Sequence, residues 1–255
     1  MSASQSAHHP DRLTRAHVVP FAVFMVFMIL LQLVAVKIEW KHPDAPWWRQ
    51  DPAHFIYPLQ TLVTLGLIAW YWKSYVFEWS LKWSLIAVVF GAVGIGFWLL
   101  PTTLYDHWGL TGKSTGIFKW LGVEARMEGF DPGVFEHPAA WWAAVLMRFV
   151  RAVIVVALVE EIFWRGFMMR FVCDWEGDYW KQPFGRATWK TWGIVTGLFM
   201  LAHSPTDYAG AFVYGSLTWV LCVWSKNLGA CVIMHAVANL LMGTYIMAYG
   251  KYGLW

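Results

Sequence analysis

Residues 157–171 read ALVEEIFWRGFMMRF, a run that sets Glu160, Glu161 and Arg165 among Val, Leu, Ile, Phe and Met. A surface helix separates a charged face from an apolar one. Here both flanks are apolar, so the three ionisable side chains are committed to burial, in protein or in lipid. The rest of the chain points to lipid. It is 58% hydrophobic and 14% charged over 255 residues, where a soluble domain carries about a quarter charged residues. Several apolar runs also approach the roughly 20 residues needed to cross a bilayer. The expected fold class is all-α: a polytopic transmembrane helical bundle of about seven spans, near 18–38, 55–77, 81–101, 142–172, 189–204, 209–225 and 228–249.

Residues 1–17 form a polar N-terminal tail, and 18–255 read as a single membrane domain without a repeat, a low-complexity tract or a linker. The apolar run 18–36 is longer than a signal h-region and no A-x-A-like site follows it, so the first span is expected to stay uncleaved. Segment 102–138 is richer in charge, Gly and Pro, and its middle, TGIFKWLGVEARMEGF, fits an interfacial amphipathic helix or an ordered loop equally well. Gly91, Gly94, Gly96, Gly193 and Gly197 are small residues at helix-packing spacing. Trp40, Trp47, Trp48, Trp70, Tyr71 and Trp72 cluster near span ends, as interfacial aromatic belts do. Lys and Arg are nearly balanced between the two sides, and weighting by the first span puts the N-terminus in the cytoplasm.

Some function classes are disfavoured at once. A net charge of +3, with no basic run interleaved with aromatics, argues against nucleic acid as a partner. Cys173, Cys222 and Cys231 have neither CxxC spacing nor an even count, against a disulfide framework or a zinc knuckle. They read as small apolar residues in or near helices.

Charges at bilayer depth cost about 2.5–3.5 kcal/mol each on insertion scales and face a bundle interior or a cavity. Helical period sorts the cluster. Glu161 and Arg165 are i and i+4 and share a face, while Glu160 is rotated by about 100°. One glutamate is thus held and the other is free to exchange protons. Further along, GLFMLAHSP carries His203 four residues after Phe199, and VIMHAVANLLMG carries His235 and Asn239 as an i, i+4 pair. A lone histidine on an apolar helix is more often a satisfied core residue than a catalytic one, and interhelical hydrogen bonds alone account for His235 with Asn239. The glutamate pair is harder to explain that way, because a structural ion pair needs only one. At about 1.5 Å per residue, Glu160 lies roughly 18 Å, His203 roughly 20 Å and Asn239 roughly 16 Å from the same membrane side.

EEIFWR, FMLAH and HAVAN fit, in order and in successive segments, the EExxxR, FxxxH and HxxxN motifs of the CPBP family, the membrane proteases similar to the type II CAAX prenyl endopeptidase. The chain resembles that family over about 140–250, with the first three spans outside. The wording EEIFWRGFMMRF with three preceding spans also looks like the CAAX protease-related subgroup associated with bacterial exosortase systems. The resemblance implies an intramembrane endopeptidase of a bacterial inner membrane. Its partners would be the lipid bilayer, a membrane-anchored protein or peptide substrate, and an exosortase-type sorting system. Carried over to this chain, it implies that Glu160 is the general base and that His203 helps it activate a water. His235 and Asn239 would stabilise the oxyanion as neutral donors in a dry cavity, and Glu161 with Arg165 would hold the site together.

No cofactor is expected. Zinc held by Glu160, His203 and His235 is the alternative, but HExxH is absent and Asn239 is a poor zinc ligand. Two rival functions remain: a proton-coupled transporter using Glu160 and Glu161 as a relay, and a non-catalytic immunity or assembly factor on the same scaffold. The first lacks an internal repeat and matched broken helices. Against the second, every motif position is intact.

Overall fold

The computed structural model describes the backbone of residues 3–37 and 51–255. Among these residues there is no strand. The helices are α1 (Ala3–Lys37), α2 (Ala53–Trp70), α3 (Leu81–His107), a one-turn α4 (Gly116–Trp120), α5 (Pro138–Cys173), α6 (Trp189–Leu201), α7 (Tyr208–Ser225) and α8 (Leu228–Tyr249). Six of them, α1, α2, α3, α5, α7 and α8, are long and apolar enough to cross a membrane. The chain is an all-α, multi-pass integral membrane protein.

The fifth expected span, 189–204, is the 13-residue α6. At about 1.5 Å per residue it extends roughly 20 Å, short of the about 30 Å hydrocarbon core. Its start is fixed by a capping box between Thr188 and Thr191, and it stops at Leu201, two residues before His203. The polar tail is already helical, since α1 begins at Ala3. The stretch 115–130 resolves mostly as an ordered loop after α4. It is pinned by the Thr102 hydroxyl on the Glu124 carbonyl (2.9 Å) and the Lys251 ammonium on the Ala125 carbonyl (2.9 Å). Trp70 and Trp72 are exposed at the end of α2, as a belt requires. Trp40, Trp47 and Trp48 lie outside the described residues.

Internal contacts group the chain into two units. The first, 1–75 with 130–159, holds α1, α2 and the start of α5. Its core contains a polar lattice. Gln60 donates to the Phe24 carbonyl (2.8 Å) and accepts from Arg151 Nε (2.7 Å). The Arg148 and Arg151 guanidinium groups lie over the Tyr57 ring at 4.3 and 4.1 Å. Tyr75 donates to the Ala16 carbonyl at 2.7 Å, and burial pushes its phenol well above the usual range, keeping it a donor.

The second unit, 76–129 with 160–255, holds α3, α4, the end of α5 and α6 to α8. Two glycines on α3 let its backbone approach its neighbours. A Cβ on Gly91 would lie 2.6 Å from the Met234 carbonyl oxygen on α8, and one on Gly94 would lie 2.8 Å from the Tyr214 ring on α7. Gly96, Gly193 and Gly197 meet nothing within 4 Å, so the spacing that suggested packing there marks no contact among the described residues. The helix α5 departs from α geometry over Val150–Val156 and Ile162–Met168, π-helical stretches that flank Ala157–Glu161. Such i→i+5 turns are rare and concentrate at functional sites.

Gly91→Ala sets a methyl against a main-chain oxygen that no rotamer change can move. Thermal unfolding in detergent should show it destabilised by about 1–3 kcal/mol. Gly193→Ala, with open space around it, is the matched control and should melt with the wild type.

Candidate active site

The motif on α5 places Glu161 and Arg165 in the interior, at 0% and 1% side-chain exposure. The Arg165 Nε lies 3.4 Å from Glu161 Oε2, and its Nη2 reaches 3.5 Å to the Gly215 carbonyl of α7. The guanidinium carbon sits 5.5 Å from the centre of the Phe199 ring of α6. This is the ion pair the i, i+4 spacing predicted. The other oxygen of Glu161 has a partner the spacing did not disclose: Oε1 lies 2.9 Å from His235 Nδ1 on α8.

That contact changes what His235 can do. An ionised carboxylate only accepts, so Nδ1 carries the proton. A neutral His235 then presents Nε2 as an acceptor, and it donates from Nε2 only as an imidazolium with Glu161 as counter-ion. The neutral Nε2 donor expected from the sequence is therefore revised. Asn239 lies one turn further along α8, half-buried.

His203 stands in the turn just past α6, half-buried. Its Nδ1 is 2.8 Å from the Phe199 carbonyl, one of the carbonyls a helix C-terminus leaves unpaired. A carbonyl cannot donate, so the neutral ring keeps its lone pair on Nε2, as a base requires. The imidazole is clamped between Phe199 and Trp98, at ring-centre distances of 4.6 and 5.3 Å. Trp98 is itself held by Asp207 Oδ1 at 3.2 Å, an oxygen that also takes Arg126 Nη2 at 2.7 Å. Arg126 adopts a left-handed backbone (φ 56°), sparsely populated for a side chain of its size.

Glu160 is half-buried, with Oε2 shut away and without a hydrogen-bond partner among the described residues. The structure thus joins Glu161, Arg165 and His235 by direct contact. It links His203 to them through rings: Phe199 stacks on Tyr214 at 6.2 Å, and Tyr214 meets His235 edge-on at 5.5 Å. Tyr214, Trp98, Arg126 and Asp207 were not singled out by sequence. With 20 Trp, 17 Phe and 10 Tyr in the chain, no spacing rule separates Tyr214 and Trp98 from the aromatic background.

The zinc alternative was tested on the donor set. Among the described residues no three His, Cys, Asp or Glu side chains gather within reach of one ion. Both histidines place Nδ1 on a carbonyl or carboxylate oxygen and leave Nε2 open. An open groove between α6 and α7, lined by Trp189, Trp192 and Trp219, includes none of the motif residues.

Arg165→Ala would strand a buried carboxylate, a change that typically costs about 3–5 kcal/mol. Melting in detergent should show a large loss. Adding Glu161→Gln removes the stranded charge, so the double variant should melt above Arg165→Ala alone. Simple additivity of the two losses would show that the pair is not coupled.

Comparison with known proteins follows the same residues. The family model described as Rce1-like, Type II CAAX prenyl endopeptidase Rce1-like, matches residues 141–241, which span all three motifs and leave α1 to α4 outside. No curated protein and no solved structure matches the chain. Residues 141–241 are thus a domain of the CPBP (CAAX protease) family, set in a multi-pass membrane protein.

Proposed function

We propose that the protein is an intramembrane endopeptidase that hydrolyses a peptide bond of a membrane-anchored protein or peptide with a water activated by Glu160. The observation that carries this reading is the contrast between the two glutamates. Glu161 is held by an ion pair to Arg165 through Oε2 (3.4 Å) and a hydrogen bond to His235 through Oε1 (2.9 Å), whereas the buried Glu160 Oε2 has neither a hydrogen bond nor an ion pair among the described residues. An unmade hydrogen bond of that kind costs about 1–3 kcal/mol, and a water is the group that would satisfy it.

In this mechanism the water oxygen bonds to the carbonyl carbon as Glu160 takes its proton and the π pair moves to the carbonyl oxygen. The His203 Nε2 lone pair accepts the second water hydrogen and orients the nucleophile. The Asn239 amide and the imidazolium of His235, with Glu161 as counter-ion, donate to the oxyanion. Collapse restores the carbonyl, breaks the C–N bond and passes the proton from Glu160 to the leaving nitrogen. Arg165 pairs with Glu161 and holds it against His235. The mechanism is metal-free, with Glu160, His203, His235 and Asn239 acting on substrate and Glu161 and Arg165 positioning them.

The wording of the α5 motif extends the reading to a bacterial inner membrane and an exosortase-type sorting system, and the Lys and Arg near the first span put the N-terminus in the cytoplasm. A membrane-anchored protein from the same sorting system is then the substrate to try.

Glu160→Gln keeps size and hydrogen bonding but cannot take the proton. Since positioned acid–base catalysis contributes about 10²–10⁴-fold, cleavage in proteoliposomes should fall by at least the lower figure. The melting temperature should hold. Full turnover by this variant, abolished by a chelator in both proteins, would replace the mechanism with a metal-activated water.

A further inference from the structure

Tyr214 has a hydroxyl that the protein leaves unused. Its side chain is 3% exposed in the middle of α7, and Oη has no hydrogen-bond partner among the described residues. Thr218, one turn on, gives its hydroxyl proton to the Tyr214 main-chain carbonyl at 2.9 Å. The ring is fixed on several sides. It lies against Gly94 of α3, stacks on Phe199 at 6.2 Å, and meets Trp98 at 6.0 Å and His235 at 5.5 Å. The groups that act on the hydroxyl are Glu161, Arg165, Glu160 and the Thr218 side chain, the last without the geometry of an ordinary hydrogen bond. Phenylalanine would give the same ring contacts without burying an unpaired donor, so packing alone does not account for a tyrosine here.

We propose that Tyr214 is a further catalytic residue, whose hydroxyl donates to the oxyanion formed when the Glu160-activated water adds to the scissile carbonyl. This rests on the protease reading of the site. The alternative acceptor is a carboxylate of the site itself. A permanent acceptor would already hold the proton in the free protein, and Oη is unpartnered there. What the donor lacks is an oxygen that arrives with the substrate and gains charge during the reaction, the condition under which a preorganised donor accelerates a step. Tyr214 also meets a need that the Glu161 contact creates. His235 must take up a proton before Nε2 can donate, whereas a phenol donates in its resting form.

Tyr214→Phe tests this with an internally quenched peptide taken from a membrane-anchored protein of the same sorting system, its membrane anchor retained, in detergent micelles, beside wild type and Glu160→Gln. The expected result is a kcat lower by about 10²–10³-fold, the loss typical of one oxyanion donor. KM should be near wild type and the melting temperature equal or higher. Wild-type kcat in Tyr214→Phe with Glu160→Gln inactive overturns the role of Tyr214 and leaves the protease reading intact. Wild-type turnover by Glu160→Gln overturns the mechanism, and the oxyanion role with it. A Tyr214→Phe protein that melts far below wild type would show the hydroxyl to be structural, and also overturns the proposal. A second readout needs no turnover: the aldehyde of the same peptide, whose hydrate mimics the tetrahedral adduct, should stabilise wild type more than the matching alcohol does. Tyr214→Phe should lose that difference. A wild type that neither cleaves the peptide nor distinguishes aldehyde from alcohol sinks both ideas.

Discussion

A carboxylate sealed from solvent has to find its counter-charge and hydrogen bonds inside the protein, and Glu161 draws them from two helices. Arg165 comes from its own α5, at 3.4 Å, and His235 from α8, at 2.9 Å. The same guanidinium reaches the Gly215 carbonyl of α7 and lies over Phe199 of α6. One buried charge thereby ties four helices of the second unit into a fixed register. Small movements are resisted steeply, because a charge pair in a low-dielectric interior loses far more on separation than it would in water. The histidines and Tyr214 hang from this frame, and their ring contacts have definite geometry because the frame does not slide.

The parts of this arrangement that sequence disclosed are those set by helical period. Glu161 with Arg165, and the different facing of Glu160, follow from the 3.6-residue turn alone, and the membrane class follows from apolar runs. The hydrogen bond from His235 to Glu161 joins residues 74 positions apart and depends on the rotation of α8 against α5. No pattern within either helix encodes that. The length of α6 was misjudged for a local reason. The apolar run ends one residue after Leu201, at Ala202, where the chain turns toward Pro205, so the helix stops three residues before the bound expected at 204. For the glycines, Gly91 and Gly193 look alike in sequence, and only the partner helix distinguishes them.

The segment matched by the family model is not self-sufficient. Trp98, which clamps His203, comes from α3, and Arg126, which anchors Trp98 through Asp207, comes from the loop after α4. Both precede residue 141. The helix that carries Trp98 also carries Gly91 and Gly94, whose missing side chains let it close on α8 and α7. Part of the immediate environment of the motifs is therefore built by chain that the motifs do not mark.

The polar content of α5 bears on how the chain enters the bilayer. Arg148, Arg151, Glu160, Glu161 and Arg165 share this one helix, and each charge placed singly in lipid costs about 2.5–3.5 kcal/mol at bilayer depth. Gln60 on α2, the partner of Arg151, has already been synthesised when α5 leaves the ribosome. Gly215 and His235, the partners of Arg165 and Glu161, have not. The two halves of the helix are thus satisfied at different times. The first half can dock on spans already in place, while the second must be sheltered by the translocon or by Arg165–Glu161 pairing until α7 and α8 arrive.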